Sequence, residues 1–358
     1  MSTKGVHFHL HNRHAQNVDL TKGSIVRGII QFALPLFLGQ LLQQFYNMAD
    51  AWVVGNFADN DAFAAVSSGG SLTFLIIGFF NGIAIGGGVI ISRYFGAKDD
   101  KMVQKAIHAN FLFGLLASLL ATVAGLLLIP GLLQLMKTPA SVMPHSLVYF
   151  RIYFGGVFTV ILYNICMSIM RALGDSLRPL YYLILSSLVN VALDLLFVAG
   201  FHWGVSGAAM ATVLAQGLSV VLCLMRMCRE KNETFRLDFR KLHFDKDIMM
   251  EVLAQGLPTG IQNAVISVGN IVIQSNINAF GAYAISGQGA YAKIEGFVFL
   301  PIMSMSMVLP TFISQNLGAR EYGRAKKGAA FGICSGMVLA ELIGVIFYVW
   351  ASYALRFF

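Results

Sequence analysis

The chain has 358 residues, of which 57% are hydrophobic and only 12% charged, and its mean hydropathy is +0.70. An average soluble domain has about 25% charged residues, so this composition excludes a soluble globular protein. The formal net charge of +8 does not indicate a nucleic-acid-binding protein, because the basic residues lie in short gaps between long apolar runs. The four cysteines show no ligand spacing typical of a zinc site or a disulfide framework.

The alternation of apolar runs and short polar loops predicts an all-α polytopic membrane protein with nine transmembrane helices, since about 20 apolar residues cross a bilayer. The predicted spans are residues 25–54, 62–92, 103–130, 146–170, 179–200, 205–228, 247–279, 286–313 and 325–355. Most of the 25 lysine and arginine residues lie in the N-terminal tail and in every second loop. Because positively charged loops remain in the cytoplasm, we expect an integral membrane protein with a cytoplasmic N-terminus.

Two parts of the chain repeat each other. Ala33-Leu34-Pro35 matches Gly256-Leu257-Pro258 at an offset of 223 residues, and residues 91–98 match 313–320 at an offset of 222. One repeat therefore spans six helices, and parallel repeats of this kind are typical of transporters with a site between two halves. The predicted organisation is a cytoplasmic tail at 1–22, an N-lobe at 23–230, a basic linker at 231–246 and a partial C-lobe at 247–358. The C-lobe contains three helices against six in the N-lobe.

Polar side chains follow one face of the first and of the seventh predicted helix. On the first helix this face carries Gln40, Gln43, Asn47 and Asp50. On the seventh helix it carries Asn263, Ser267, Asn270, Gln274 and Asn278. The spacing of three or four residues places each set on one helical face. Since lipid cannot satisfy amides, the two stripes either line a water-filled substrate cavity or form hydrogen bonds that only hold helices together.

The acidic residues within the predicted spans are Asp50, Asp194, Glu295 and Glu341. Function is the first hypothesis for a charged residue at membrane depth. Asn190 and Asp194 are i, i+4 neighbours, and with Asp50 they supply oxygen atoms suited to Na⁺ or a proton, with a structural role as the alternative. Glu295 is either a snorkelling or paired residue near an interface or a ligand, and Glu341 is expected at an interface.

Pro35 and Pro258 each lie inside the first helix of a repeat, where proline frees a backbone carbonyl and allows bending. They are candidate hinges, and a static kink explains them equally well. The glycines of the second helix, Gly78, Gly82 and Gly86, predict close helix packing and not a phosphate-binding loop. No set of catalytic or metal-ligating side chains converges on a predicted helix face, so we expect neither an enzyme nor a resident metal or cofactor.

Four short motifs are informative in combination: DAWVVG at 50–55, RALGDS at 171–176, GAAMAT at 207–212 and QNLGA at 315–319. Together they resemble the multidrug and toxic compound extrusion (MATE) family, and the resemblance extends from about residue 20 to the end of the chain. It implies a two-lobe antiporter of twelve helices, of which the last three are absent from this sequence. It also implies export of amphipathic or cationic small molecules in exchange for Na⁺ or H⁺ across a prokaryotic plasma membrane.

The resemblance also assigns residues. Those that match the family's N-lobe cation or proton site are Asp50, Asn190, Asp194 and Thr212. Gln43, Tyr46 and Asn164 match the neighbouring cavity wall, and Asn47, Asn263, Asn270 and Gln274 complete the predicted substrate cavity. One branch of the family places an acid on the seventh helix, where this chain has Ile266. The N-lobe is therefore the predicted site of ion coupling.

Two other functions are compatible with the sequence. A flippase for lipids or lipid-linked precursors has a related two-lobe plan, but it favours an Arg-rich cavity where this chain has amides. The chain is alternatively a truncated fragment that does not transport. As its partners we expect small molecules and the lipid bilayer, without nucleic acid, and we expect a monomer.

Overall fold

A computed structural model describes residues 18–57, 70–135, 138, 142–230, 232, 234–242, 244–278, 280, 288 and 295–354. The helices, in chain order, are α1 (Ile25–Phe57), α2 (Gly70–Gly96), α3 (Asp100–Leu135), α4 (Met143–Gly155), α5 (Val157–Ala172), α6 (Leu177–Asp194), α7 (Gly204–Cys228), α8 (Lys246–Asn278), α9 (Leu300–Gly318) and α10 (Tyr322–Ala354). A π-helical turn, Leu195–Gly200, directly follows α6, and a 3₁₀ turn, Phe239–Lys241, lies between α7 and α8. The described residues contain no β-strand.

Within the described ranges, six helices are long and apolar enough to cross a membrane: α1, α2, α3, α6 with its π-helical turn, α7 and α10. The pair α4 and α5 forms a seventh candidate span that bends by 44°. The single helix predicted over 146–170 is therefore interrupted. The break lies at Gly156, where a Cβ atom would collide with the side chain of Val213 on α7, so the close approach of α7 requires glycine at this bend.

The main core is formed by α2, α3, α4, α5 and α7. Its largest fully buried side chains include Phe150, Phe154, Ile107, Ile161 and Ile165. Outward-facing positions are also apolar, as at Leu127, which is 75% exposed. Apolar residues on both the inner and the outer surface are expected for helices surrounded by lipid, where burial does not separate polar from apolar positions.

The turns between α2 and α3, α5 and α6, α7 and α8, and α9 and α10 lie at the end of the molecule where α1 and α8 begin. The backbone N–H of Val18 donates to the carbonyl of Gly174 at 2.9 Å, which ties the segment before α1 to the turn after α5. The N–H of Leu20 donates to Oε1 of Gln315 on α9 at 3.3 Å. These are the turns in which lysine and arginine are concentrated, and we call this end of the molecule the basic end.

Glycines bring the two sequence repeats into contact. Gly82 and Gly86 on α2 lie so close to the backbone of Gly260 and Gly256 on α8 that a Cβ atom on either α2 glycine would collide with it. The glycines of α2 therefore serve close helix packing, which is the role that their spacing predicts.

The two repeats also touch at the basic end, through two equivalent glycine contacts. Gly96 lies against the backbone of Gln315, and Gly318 lies against the backbone of Arg93. Arg93 and Gln315 are repeat equivalents at the 222-residue offset, and so are Gly96 and Gly318. The two repeats thus meet here through the same pair of positions in each direction.

Candidate functional site

Two carboxyl groups face each other between α1 and the end of α6. The carboxyl groups of Asp50 and Asp194 lie within hydrogen-bonding reach of each other, and Asp194 has no exposed surface. An ionised carboxylate has no hydrogen to donate, and accordingly Oδ1 of Asp50 and both carboxylate oxygens of Asp194 have no donor. A buried pair of this kind is incomplete until a proton or another cation joins it.

Two polar side chains predicted for the ion site, Asn190 and Thr212, lie beside the acids, together with Tyr46, which was predicted for the neighbouring cavity wall. Asn190 is one helical turn before Asp194, is 1% exposed, and neither atom of its amide has a hydrogen-bond partner. The hydroxyl of Thr212 on α7 donates to the carbonyl of Ala208 at 3.1 Å and lies 3.5 Å from the hydroxyl of Tyr46. The structure therefore brings together residues from α1, α6 and α7 that are far apart in the sequence.

Two tyrosines of α4 also belong to this site, and the sequence did not reveal them. Tyr149 and Tyr153 stack with ring centroids 5.9 Å apart and an interplanar angle of 16°. Tyr149 lies close enough to Asp50 and Asp194 for electrostatic interaction with both. The i, i+4 spacing of these two tyrosines in an apolar span is the only sequence signal available for them, and by itself it does not identify the helix that they face.

The acid pair is closed off from one side by a small apolar cluster. Its members are Val53, Val54, Val198 and Ala208, each no more than 2% exposed. They lie about one turn from Asp50, Asp194 and Thr212 along their respective helices. Asp194 is also the residue at which α6 becomes the π-helical turn, and local widening of this kind is common at functional sites.

The donor set determines which ions this site can accept. The described residues contain no group of three or more His, Cys, Asp or Glu side chains that could hold a metal ion. Two carboxylates, an amide and hydroxyl groups are hard oxygen ligands with a charge suited to a monovalent cation. A proton shared by the two carboxyl groups satisfies the pair without further ligands.

The residues predicted to line a substrate cavity fall into two groups. Gln43, Asn47 and Asn270 are exposed on the polar faces of α1 and α8. The amide of Asn263 instead donates to the carbonyl of Gly78 on α2 at 2.9 Å, and that of Asn164 donates to Val160 within α5 at 2.9 Å. Asn263 therefore forms a hydrogen bond that holds α8 against α2, which is the second of the two roles considered for these amides. The side chain of Gln274 lies outside the described part of the chain.

The two candidate hinge prolines and the two other acidic residues of the predicted spans lie away from the acid pair in sequence, and the structure describes their exposure. Pro35 is buried within α1 and Pro258 is exposed within α8, and each helix runs as one element of 33 residues. Glu341 is exposed on α10. Gly296, next to the half-buried Glu295, lies against the side chain of Gln44 on α1.

The repeated helices, the apolar exterior and a buried acid pair beside an exposed polar face define a polytopic membrane transporter. The MatE family model matches residues 35–196 and 258–358, and the two matches begin at the equivalent prolines of the two repeats. The chain belongs to the MatE family of multidrug efflux transporters. The prediction from the four motifs is thereby confirmed at the level of family, membrane location and transport.

Known relatives and solved structures agree with this assignment. The chain is 30% identical over 345 residues to the probable multidrug resistance protein YoeA of Bacillus subtilis (strain 168), covering 94% of this chain and 74% of YoeA. Its fold matches that of a MOP superfamily transporter from Pyrococcus furiosus with a TM-score of 0.88 at 21% identity, over 96% of this chain and 76% of that one. An outward-facing multidrug resistance MATE family transporter matches with a TM-score of 0.86 at 22% identity, over 96% of this chain and 76% of the other.

Proposed function

We propose that this protein exports amphipathic or cationic small molecules in exchange for H⁺ or Na⁺, and that Asp50 and Asp194 bind the coupling ion. The observation that supports this proposal is the carboxyl pair itself, in which Asp194 is fully buried and three of the four oxygens are buried without a hydrogen-bond partner. Leaving such a pair ionised and unpaired is costly, so binding of one cation stabilises the state in which the two acids are close together. Loss of that cation favours a state in which they separate.

The closeness of the two carboxyl groups favours H⁺ over Na⁺ as the coupling ion. A shared proton forms one hydrogen bond between the acids, whereas Na⁺ needs several oxygen ligands around it. The amide oxygen of Asn190 and the hydroxyl of Thr212 are the atoms that would join the carboxylates in holding Na⁺. An inside-negative membrane potential adds about 2.3 kcal/mol per charge for each 100 mV to inward movement of either ion.

The conformational cycle proposed here is alternating access between two lobes, residues 23–230 and 247–358, with nine spans in this chain. The N-terminus is placed in the cytoplasm, so the basic end faces the cytoplasm. The glycine contacts of α2 with α8 are proposed to close that end, and substrate is proposed to leave past the polar faces of α1 and α8 on the other side. Pro35 and Pro258 are the candidate hinges, and the protein is proposed to act as a monomer in the plasma membrane.

Substrates are proposed to bind beside the polar faces of α1 and α8. Gln43, Asn47 and Asn270 provide hydrogen-bonding groups there, and Phe45 contacts Phe297 with ring centroids 5.7 Å apart. Amides next to aromatic rings suit molecules that combine an apolar body with a polar or cationic group. Neither face carries an arginine, which does not favour the anionic substrates of a lipid flippase.

The test is gradient-driven efflux of a cationic dye from proteoliposomes that contain the chain, with H⁺ and Na⁺ gradients imposed separately. Asp50→Asn and Asp194→Asn are each expected to abolish efflux driven by the coupling ion, because neither variant can bind and release a proton or Na⁺ at the pair. Glu341→Gln, which removes an exposed acid on α10, is the matched control and is expected to retain efflux. Undiminished transport by both Asp→Asn variants would contradict the proposal.

A further inference from the structure

A basic groove lies at the basic end of the molecule, between the start of α3 and the linker that joins α7 to α8. Its volume is about 510 Å³, and it is lined by Lys101, Gln104, Lys105, His108, Arg240, Lys241 and Leu242. One wall is the first two turns of α3 and the other is the 3₁₀ turn of the linker between the two repeats. Four basic side chains therefore converge on one groove from two elements that are well separated in the sequence.

The linker wall is held firmly against α3. His108 is 2% exposed and its Nε2 accepts the backbone N–H of Asp238 at 3.0 Å, while its Nδ1 contacts the carbonyl of Gln104 at 2.7 Å. Nε2 is thus an acceptor and Nδ1 the donor, which is the neutral form of the ring. The N–H of Leu237 donates to the carbonyl of Met227 at 3.1 Å, and Leu237 is buried. These hydrogen bonds fix the position of the linker wall, so the shape of the groove is defined by the fold.

The acidic side chains near the groove lie outside its lining. Asp238 accepts the backbone N–H of Arg240 at 3.0 Å, so its carboxylate caps the 3₁₀ turn. Asp245 accepts the N–H of Ile248 at 3.2 Å and lies 3.7 Å from Nζ of Lys105. The residues that line the groove thus include four basic side chains and no acidic one. The lining of the groove is therefore positively charged.

Two exposed phenylalanines lie close in sequence to the linker residues that line the groove. Phe239 is 53% exposed and packs edge-on against Phe111 at 5.8 Å between ring centroids, and Phe244 is 61% exposed. Exposed aromatic residues beside lysine and arginine are typical of segments that lie at the boundary between lipid tails and headgroups. A groove beside such residues is suited to the level of the bilayer at which lipid phosphate groups are found.

We propose that this groove binds the phosphate of an anionic phospholipid headgroup. The lysine and arginine side chains contact the phosphate, and the rings of Phe239 and Phe244 contact the acyl chains. Because its two walls come from α3 and from the linker that leads into α8, a bound lipid fixes the linker to the first repeat. This site is separate from the acid pair, so its occupancy does not depend on the proposed transport cycle.

The proposal is tested by thermal unfolding of the purified chain in nonionic detergent with added lipid. Phosphatidylglycerol is expected to raise the unfolding temperature in a saturable manner, whereas phosphatidylcholine with the same acyl chains is not. Inorganic phosphate, in a third series, is expected to have no effect at the same concentration. An equal response to both lipids would overturn the proposal, and an equal response to inorganic phosphate would show a site for a soluble anion instead.

A pair of matched double variants locates the effect. Lys101→Gln/Arg240→Gln removes one charge from each wall and is expected to weaken the apparent affinity for phosphatidylglycerol by about thirtyfold, at roughly fivefold per charge near a lipid surface. Lys326→Gln/Lys327→Gln removes two exposed charges of α10 at the same end and is expected to change the affinity little. Equal weakening by both pairs would contradict a specific groove. If the first pair lowers the unfolding temperature without lipid, Arg240→Gln alone is expected to show about fivefold weakening.

Discussion

The two sequence repeats meet through two helix pairs that are equivalent by the internal repeat but packed differently. In the pair α2 and α8, Gly86 lies against Gly256 and the backbones touch. The equivalent positions in the pair α9 and α1 are Val308 and Ala33, which lie in one apolar cluster with Phe32, Leu36 and Phe312. One contact is thus made by backbone atoms and the other by side chains.

This difference shows that the repeat is not exact in these two helix pairs, although Gly96 and Gly318 preserve it at the basic end. Backbone contact leaves no space for adjustment, whereas a cluster of side chains can change rotamers as helices move. The segment before α1 adds a further element to the side-chain contact, because Leu20 is fully buried in the same cluster. We expect the α2–α8 pair to be the more rigid contact and the α1–α9 pair the more adaptable one.

Among the substitutions that test this comparison, Gly86→Val is expected to lower the free energy of unfolding most. The new side chain collides with the backbone of Gly256 and with the carbonyl of Val252, and overpacking of this kind costs about 3 kcal/mol or more. The free energy of unfolding in lipid-detergent micelles measures it. Gly269→Val, on α8 where nothing lies within 4 Å of a new Cβ atom, is the control, and equal destabilisation of the two variants would refute the close contact.

Val308→Ala is expected to have a smaller effect, on the side-chain contact. Val308 has no exposed surface, so truncation leaves a small cavity and lowers the free energy of unfolding by about 1–2 kcal/mol. Val338→Ala on α10, where the side chain is 57% exposed, is the control. If Val308→Ala destabilises the protein as much as Gly86→Val, the two contacts do not differ in rigidity.

Arg324→Gln tests the segment that covers the α1–α9 contact. Nη2 of Arg324 donates to the carbonyls of Leu20 at 3.1 Å and Lys22 at 2.8 Å, and its guanidinium lies 5.7 Å from the centre of the Phe312 ring. The variant is expected to lose about 1 kcal/mol of stability and to speed hydrogen exchange at the N–H of Leu20. Lys326→Gln should change neither quantity, and unchanged exchange in Arg324→Gln would show that the segment is held by other contacts.

Gln40→Leu is expected to have the smallest effect. The side-chain amide of Gln40 contacts the sulfur of Met307 across the α1–α9 pair at 3.4 Å, and sulfur is a weak acceptor. Its loss is expected to change the free energy of unfolding by about 0.5 kcal/mol or less. A destabilisation similar to that of Val308→Ala would mean that polar contacts contribute to this pair as much as apolar packing does.

The helices themselves follow closely from hydropathy. Residues 205–228 were predicted and Gly204–Cys228 is observed, and 179–200 corresponds to α6 with its π-helical turn at 177–200. The break within α4 and α5 was not predicted, because it depends on the contact between Gly156 and Val213 on another helix. Likewise, the grouping of Asp50 with Asp194 rests on chemical reasoning and resemblance, whereas Tyr149 and Tyr153 are assigned to the same site only by their position in space.

The sequence by itself determined the class of the protein, its helices and its internal repeat. In lipid each segment must satisfy its own backbone hydrogen bonds, so a long apolar run has one structural solution, and local composition is sufficient to find it. The tertiary structure decided which positions touch: glycine against glycine in one helix pair, and side chains in its equivalent. Those contacts depend on the distance between two helix axes, which is set jointly by residues more than a hundred positions apart and is not encoded in any single segment.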